Sequence, residues 1–237
     1  NLHGHDIYIT DKIAETVTKS RAPMDLDMDE VYERRVKTLY SAIVEFTTRV
    51  GERSLEPEIN ERVYALRDVA GDIVKAVKSV KHLRKNVLRF TGREMGAVTN
   101  LYDGLRTEIA RIIVEIHKLE STDPEDRSAL WLDQERAQIE DDAMSTTRRV
   151  DDLIRQGKLQ AAAATSFLND SGYAYAAMRD LIEAARKYYI ERDSAMAEVE
   201  RLLSLEDEEL DENRLVTDTS PKFETGDHGN KTVAQRT

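Results

Sequence analysis

The chain has 237 residues, 40% of them hydrophobic and 34% charged, with a formal net charge of −11. The apolar share suffices for a core and argues against wholesale disorder. The acidic balance argues against nucleic acid as a general partner, and the absence of cysteine excludes disulfide frameworks and thiolate chemistry.

Only 10 Gly and 4 Pro interrupt a sequence rich in Ala, Leu, Glu, Arg and Val, which favours long helices. The first residues, Asn1 to His5, lack the charged-then-apolar pattern of a secretion signal. Because they also lack an initiator Met, the chain is expected to be a fragment of a longer protein. No stretch approaches the ~18 consecutive apolar residues of a membrane span.

Residues 1–28 predict one short helix, with Ile9, Ile13 and Val17 on one side, and a linker holding Pro23. His3 and His5 read as part of a frayed terminus rather than as a metal pair. A first long seam at alternating spacings of three and four runs Tyr32, Val36, Leu39, Ile43, Phe46, Val50. Asp27 or Asp29 is placed to cap it and Gly51 to end it. A second runs Ile59, Val63, Leu66, Ala70, Ile73, Val77, Val80, Val87, opened by Pro57 and stopped near Thr91-Gly92. Val69, Val74, Leu83 and Leu88 flank it, so this helix is expected to touch more than one neighbour.

A third seam runs Val98, Tyr102, Leu105, Ile109, Ile112, Ile116, Leu119. Pro124-Glu125-Asp126 is expected to start the fourth helix, whose seam is Leu132, Ile139, Ala143, Thr146, Val150, Leu153 and whose end is Gly157. A fifth runs Ala164, Leu168, Tyr175, Met178, Ile182, Ala185, Tyr189, with a continuation through Met196, Val199 and Leu203. Trp131 and Tyr173, Tyr175, Tyr188 and Tyr189 read as packing aromatics.

Helices joined by short connectors fold back on one another, so the fold class is all-α, an antiparallel up-and-down bundle. Three regions follow: a short helix and linker over 1–28, the bundle over 29–206, and a disordered polar and acidic tail over 207–237.

Two charge patterns stand out. Asp68 and Asp72 are four residues apart, so both carboxylates share one helical face, placed by the seam on the outer side. A hard cation would relieve their repulsion, and carboxylate oxygens suit iron, manganese or magnesium. The competing reading is a solvated pair neutralised by Arg67 and Lys75. Lys75, Lys78, His82, Lys85 and Arg89 form a basic stripe, suited to an anionic membrane, an acidic partner, the acidic 206–212 run of the same chain, or simply water.

Nucleophile elbows, phosphate loops, dinucleotide fingerprints and His-Glu-x-x-His are all missing. The Glu-x-x-His pairs of di-metal bundle enzymes are missing too. The reading is therefore not an enzyme.

The run Arg67-Asp68-Val69-Ala70-Gly71-Asp72-Ile73-Val74 resembles the acidic metal-binding helix of PhoU-like phosphate-uptake regulators. Two runs, Ala70 to Asn86 and Ala164 to Tyr175 followed by Leu181 to Ala184, are similar to the cytosolic tail of the bacterial sodium/phosphate cotransporter family. The resemblance implies a PhoU-like bundle at the inner face of the cell membrane that regulates phosphate uptake. It implies a divalent metal or iron cluster at Asp68 and Asp72. Its implied partner is the transmembrane transporter region or the membrane itself, met through the basic stripe, with a homodimer also admitted. In the second half, Asp170, Asp180 and Glu183 do not repeat the acidic spacing. The expected metal site therefore rests on Asp68 and Asp72 alone. The alternative is a helical scaffold or signalling bundle that binds protein partners and is unrelated to phosphate.

Overall fold

The computed structural model describes residues 2–20, 26–51, 57–92 and 96–191. The tail over 207–237 and the continuation through Met196, Val199 and Leu203 lie outside the described residues, as do the side chains of His3, His5 and Ile9.

The described residues form seven α-helices and no strand. They are α1 (Leu2–Lys19), α2 (Met28–Val31), α3 (Lys37–Gly51), α4 (Pro57–Thr91), α5 (Ala97–Glu120), α6 (Ala129–Arg155) and α7 (Ala161–Ala185). A π turn, Tyr32–Val36, runs α2 into α3, and a second, Arg186–Glu191, extends α7. α4, with 35 residues, is roughly 50 Å long.

Local chemistry sets the boundaries. Asp27 caps α2, its Oδ1 accepting from the N–H groups of Asp29 and Glu30 at 2.9 and 3.1 Å. Pro57 opens α4, where its missing N–H costs no helical bond. Pro124–Asp126 form a separate 3-10 turn rather than the first turn of α6. Arg127 after it is extended, and the Ser128 hydroxyl caps the helix proper by accepting from the Leu130 N–H. α6 ends on Gly157 at φ 67°. There the Lys158 N–H bonds the Leu153 carbonyl and the Gly157 N–H that of Ile154, the paired closure that a left-handed glycine permits.

Helices α4 to α7 alternate in direction, with α7 at the centre, so that α5 runs parallel to α7: Tyr102 meets Asp170 at one end and Arg127 covers the Tyr189 ring at the other. α4 lies along α7 in the opposite sense, since Asn86 meets Asp170 at one end and Asp72 meets Lys187 at the other. α5 and α6 flank α7, α1 lies on α5, and α3 lies on the far side of α4. Small residues on α7 (Ala164, Ser171, Ala174, Ala177, Ala184, Ala185) are buried and allow the neighbouring axes to come close. Between them Phe167, Tyr175, Met178 and Ile182 fill the core with Tyr102, Leu105 and Ile112 of α5 and Leu132, Ile139 and Val150 of α6. Trp131, Tyr173 and Tyr189 pack at its edge. The third, fourth and fifth seams therefore face the core.

The first two seams are rotated from their expected positions. On α3 the line turned toward α4 contains Tyr40 and the buried Thr47, while Leu39 and Phe46 are exposed. Tyr40 takes this place because Gly71 leaves room for it; a methyl group there would stand 3.1 Å from the Tyr40 hydroxyl. On α4 the buried line is Val69, Asp72, Ala76 and Leu83, whereas Ile59, Leu66 and Ile73 are exposed.

Candidate functional site

α7 runs the length of α4, and their shared seam gathers most of the charge chemistry. Asp72 is 5% exposed, not on the outer face as its sequence position implied. The expectation failed because α7 covers the line through Val69, Asp72 and Ala76 instead of the line through Ile59, Leu66 and Ile73. Asp72 Oδ1 accepts from Lys75 Nζ at 2.8 Å, and Oδ2 accepts from Lys187 Nζ at 2.7 Å. Lys187 sits in the π turn after α7, which brings its amine back over α4. Burial pushes the Asp72 carboxyl upward, but the ammonium groups of Lys187 and Lys75 together outweigh it and hold it below the usual carboxylate range. Both lysines are raised in turn by their hydrogen bonds to Asp72.

Asp68, one turn away, is exposed. The two aspartates that looked equivalent are thus an anion locked between cations and a surface carboxylate. This arrangement does not fit a divalent metal or iron cluster, because both Asp72 oxygens already accept from ammonium groups. Among the described residues no three His, Asp or Glu side chains gather as metal donors. Asp180 of α7 lies nearby; burial raises its carboxyl, and Asp72 adds to this against the opposing pull of Lys75.

The basic stripe occupies an exposed side of α4, with Lys75, Lys78, His82, Lys85 and Arg89 all exposed. Among the described residues, three of the five have partners within the chain. Lys75 pairs with Asp72, the His82 ring stacks on Tyr173 of α7 at 4.8 Å, and the Arg89 guanidinium lies 5.1 Å from the Phe90 ring centre. Lys81, beside the stripe, bonds Asp29 at 2.7 Å and covers the Tyr32 ring, pinning α2 and the following π turn to α4.

A second polar node went unseen in the sequence reading. Asp170 is 2% exposed, and its Oδ2 accepts from the Tyr102 hydroxyl at 2.6 Å and from Asn86 Nδ2 at 2.9 Å. Burial, followed by this bond to Asp170, raises the Tyr102 phenol above its ordinary range. One carboxylate therefore joins α4, α5 and α7. The available signal was its position in the apolar line between Phe167 and Ala174, where an unpartnered charge is not tolerated. A third charged junction, Arg111 of α5 with Glu135 of α6 and Glu108, ties those two helices.

No protein-family model matches the chain, and neither a curated protein nor a solved structure shows significant similarity to it.

Proposed function

We propose that the bundle is a cytosolic regulatory domain of a sodium-dependent phosphate transport protein, working at the inner face of the cell membrane by contact rather than catalysis. One observation carries the reading. The two runs similar to the cotransporter tail, 70–86 and 164–175, lie far apart in sequence and pack on each other through Asn86–Asp170 and His82–Tyr173. They form one structural unit, with the basic stripe at its edge.

With a net charge of −11, the chain as a whole is repelled by an anionic surface. Contact must then be local, and the stripe supplies it at about 1 kcal/mol per basic residue near an anionic membrane. Such contact biases a transporter only if one of its states fits the domain better than another.

Two measurements test this. Deleting the coding region for 30–205 from the native gene and following radiolabelled phosphate uptake is expected to change uptake or its response to external phosphate; unchanged behaviour in both defeats the reading. In co-sedimentation at low salt, the chain is expected to follow vesicles containing phosphatidylglycerol and to leave pure phosphatidylcholine vesicles. The double variant Lys78→Glu/Lys85→Glu should lose that binding.

The exposed apolar side chains of α3 and α4 favour a second reading, a scaffold that binds protein partners and is unrelated to phosphate. Affinity capture from native membranes separates the two, since recovery without any transporter component supports the scaffold.

A further inference from the structure

A cavity of about 450 Å³ lies between α4 and α5, next to the C-terminal end of α1. That volume falls in the roughly 300–1,000 Å³ of small-molecule sites, whereas well-packed interiors hold few voids larger than a water. Val80, Leu83 and Val87 of α4 form one wall, and Leu105, Ile109 and Ala110 of α5 form the other. The space persists because α5 leans on α7 more than on α4, and Ala110 brings only a methyl group to the seam. Val17 of α1 and Met28 of α2 close it on a third side. Leu88 and Ile113, 38% and 53% exposed, mark where it meets water.

Its polar groups are few and of one sign. Arg84 and Arg106 line it with Ser20 and Thr91, and among the described residues no Asp or Glu does. Thr91 donates its hydroxyl to the Val87 carbonyl at 2.7 Å, so that hydrogen is committed to its own helix. Arg106 divides its donors. Nη1 bonds Asp103 at 3.0 Å, while Nη2 donates to the main-chain carbonyl of Ser20 at 2.8 Å. The second acceptor is neutral. A carboxylate or phosphate oxygen in its place makes a charge-assisted bond, roughly twice as strong. The Arg106 side chain is 22% exposed, and a partly buried charge is screened less by salt than one on the surface. Apolar walls carrying two guanidinium groups select a ligand that is greasy along its length and negative at one end.

We propose that this cavity binds a single acyl chain with an anionic head, the chain lying between α4 and α5 and the head on Arg106. Arg84 adds positive charge to the same space. The head takes the Nη2 donor that now holds the Ser20 carbonyl. Ligand binding and the seating of the α1 end therefore compete for one donor.

Isothermal titration calorimetry of the full chain with dodecanoate, below its micelle concentration, tests the proposal. One equivalent is expected to bind with a Kd of roughly 10–100 µM. Decanoate, two methylenes shorter, should bind about tenfold weaker. Dodecyldimethylamine oxide, with the same chain and an uncharged head, should bind at least about tenfold weaker than dodecanoate. Ala110→Trp fills the space and should abolish binding, while Met144→Trp, at an exposed position on α6, should not. Arg106→Gln leaves the cavity open. It should weaken dodecanoate about tenfold and leave the amine oxide unchanged, which reads the head contact even if Ala110→Trp fails to fold. Lauroyl lysophosphatidylglycerol shares the chain and the negative charge; the tighter of the two anions assigns the source to membrane lipid or free fatty acid. Binding of neither anion at about 1 mM, equal affinity for the amine oxide, or binding indifferent to Arg106→Gln each overturns the proposal.

Discussion

α7 and α3 carry similar apolar seams in the sequence, yet the fold uses them differently. α7 has α4, α5 and α6 around it and buries residues on nearly every side. α3 packs chiefly on α4 and the adjoining π turn; its one fully buried residue is the polar Thr47, whose hydroxyl bonds the Val44 carbonyl. Two of its large apolar side chains, Leu39 and Phe46, stay in water. Burial of a given side chain is thus decided by how many neighbours its helix acquires. Periodicity shows that a face exists, not that it is covered.

Truncating one phenylalanine in each helix gives the sharpest contrast. Phe167 is fully buried and meets Tyr102 edge-on at 5.2 Å. Phe167→Ala should cost about 3–5 kcal/mol in urea unfolding. Phe46→Ala, at an exposed position, should stay within about 0.5 kcal/mol. Equal losses would break the comparison.

The two aspartates of α4 offer the next contrast. Asp72→Ala removes a buried anion and leaves Lys187 with only the longer pairing to Glu183 at 3.8 Å, for an expected loss of about 2–3 kcal/mol, whereas Asp68→Ala should be near neutral. Asp72 has a depressed native pKa, so its stabilisation is present above its unfolded pKa and lost as pH falls through the native value. The gap between wild type and Asp72→Ala should therefore close below about pH 4. A gap unchanged at pH 3 would show that the loss is packing rather than charge.

Gly157→Ala tests the α6 end. A Cβ there meets nothing within 4 Å, so the cost is the left-handed backbone alone, about 1 kcal/mol by thermal unfolding.

The smallest expected effect is a gain. Asp180 has a raised pKa, so its ionised form opposes folding once pH exceeds the native value. Asp180→Asn should raise the melting temperature by about 2 °C at pH 7, and the gain should vanish below about pH 4. Destabilisation at pH 7 would mean that the pairing with Lys75 outweighs burial.

Much of the fold was readable from local chemistry. Pro57, Asp27 and Gly157 mark helix ends because each acts on backbone groups within a few residues, and the α5, α6 and α7 seams face the core because those helices have neighbours on their apolar sides. Pro124 misled, since a 3-10 turn and an N-terminal α turn begin with the same residues and differ only in what Arg127 does next. The site was less readable. Lys75 was a nearby cation one helical turn away, but Lys187 reaches Asp72 from 115 positions later through a π turn that has no periodic signature.

The sequence alone determined that the described fold is all-α, where most helices begin and end, and that one side of α4 is basic. These follow from propensities, caps and spacing, which act within a turn or two. Only the tertiary structure decided that Asp72 is enclosed while Asp68 is wet, that Asp170 binds three helices together, and that Leu39, Phe46, Ile59, Leu66 and Ile73 remain exposed. Each depends on which helix lies beside which, and at what rotation. That choice is made by the summed packing of distant segments, and a rotation of one residue, about 100°, moves a side chain from core to solvent.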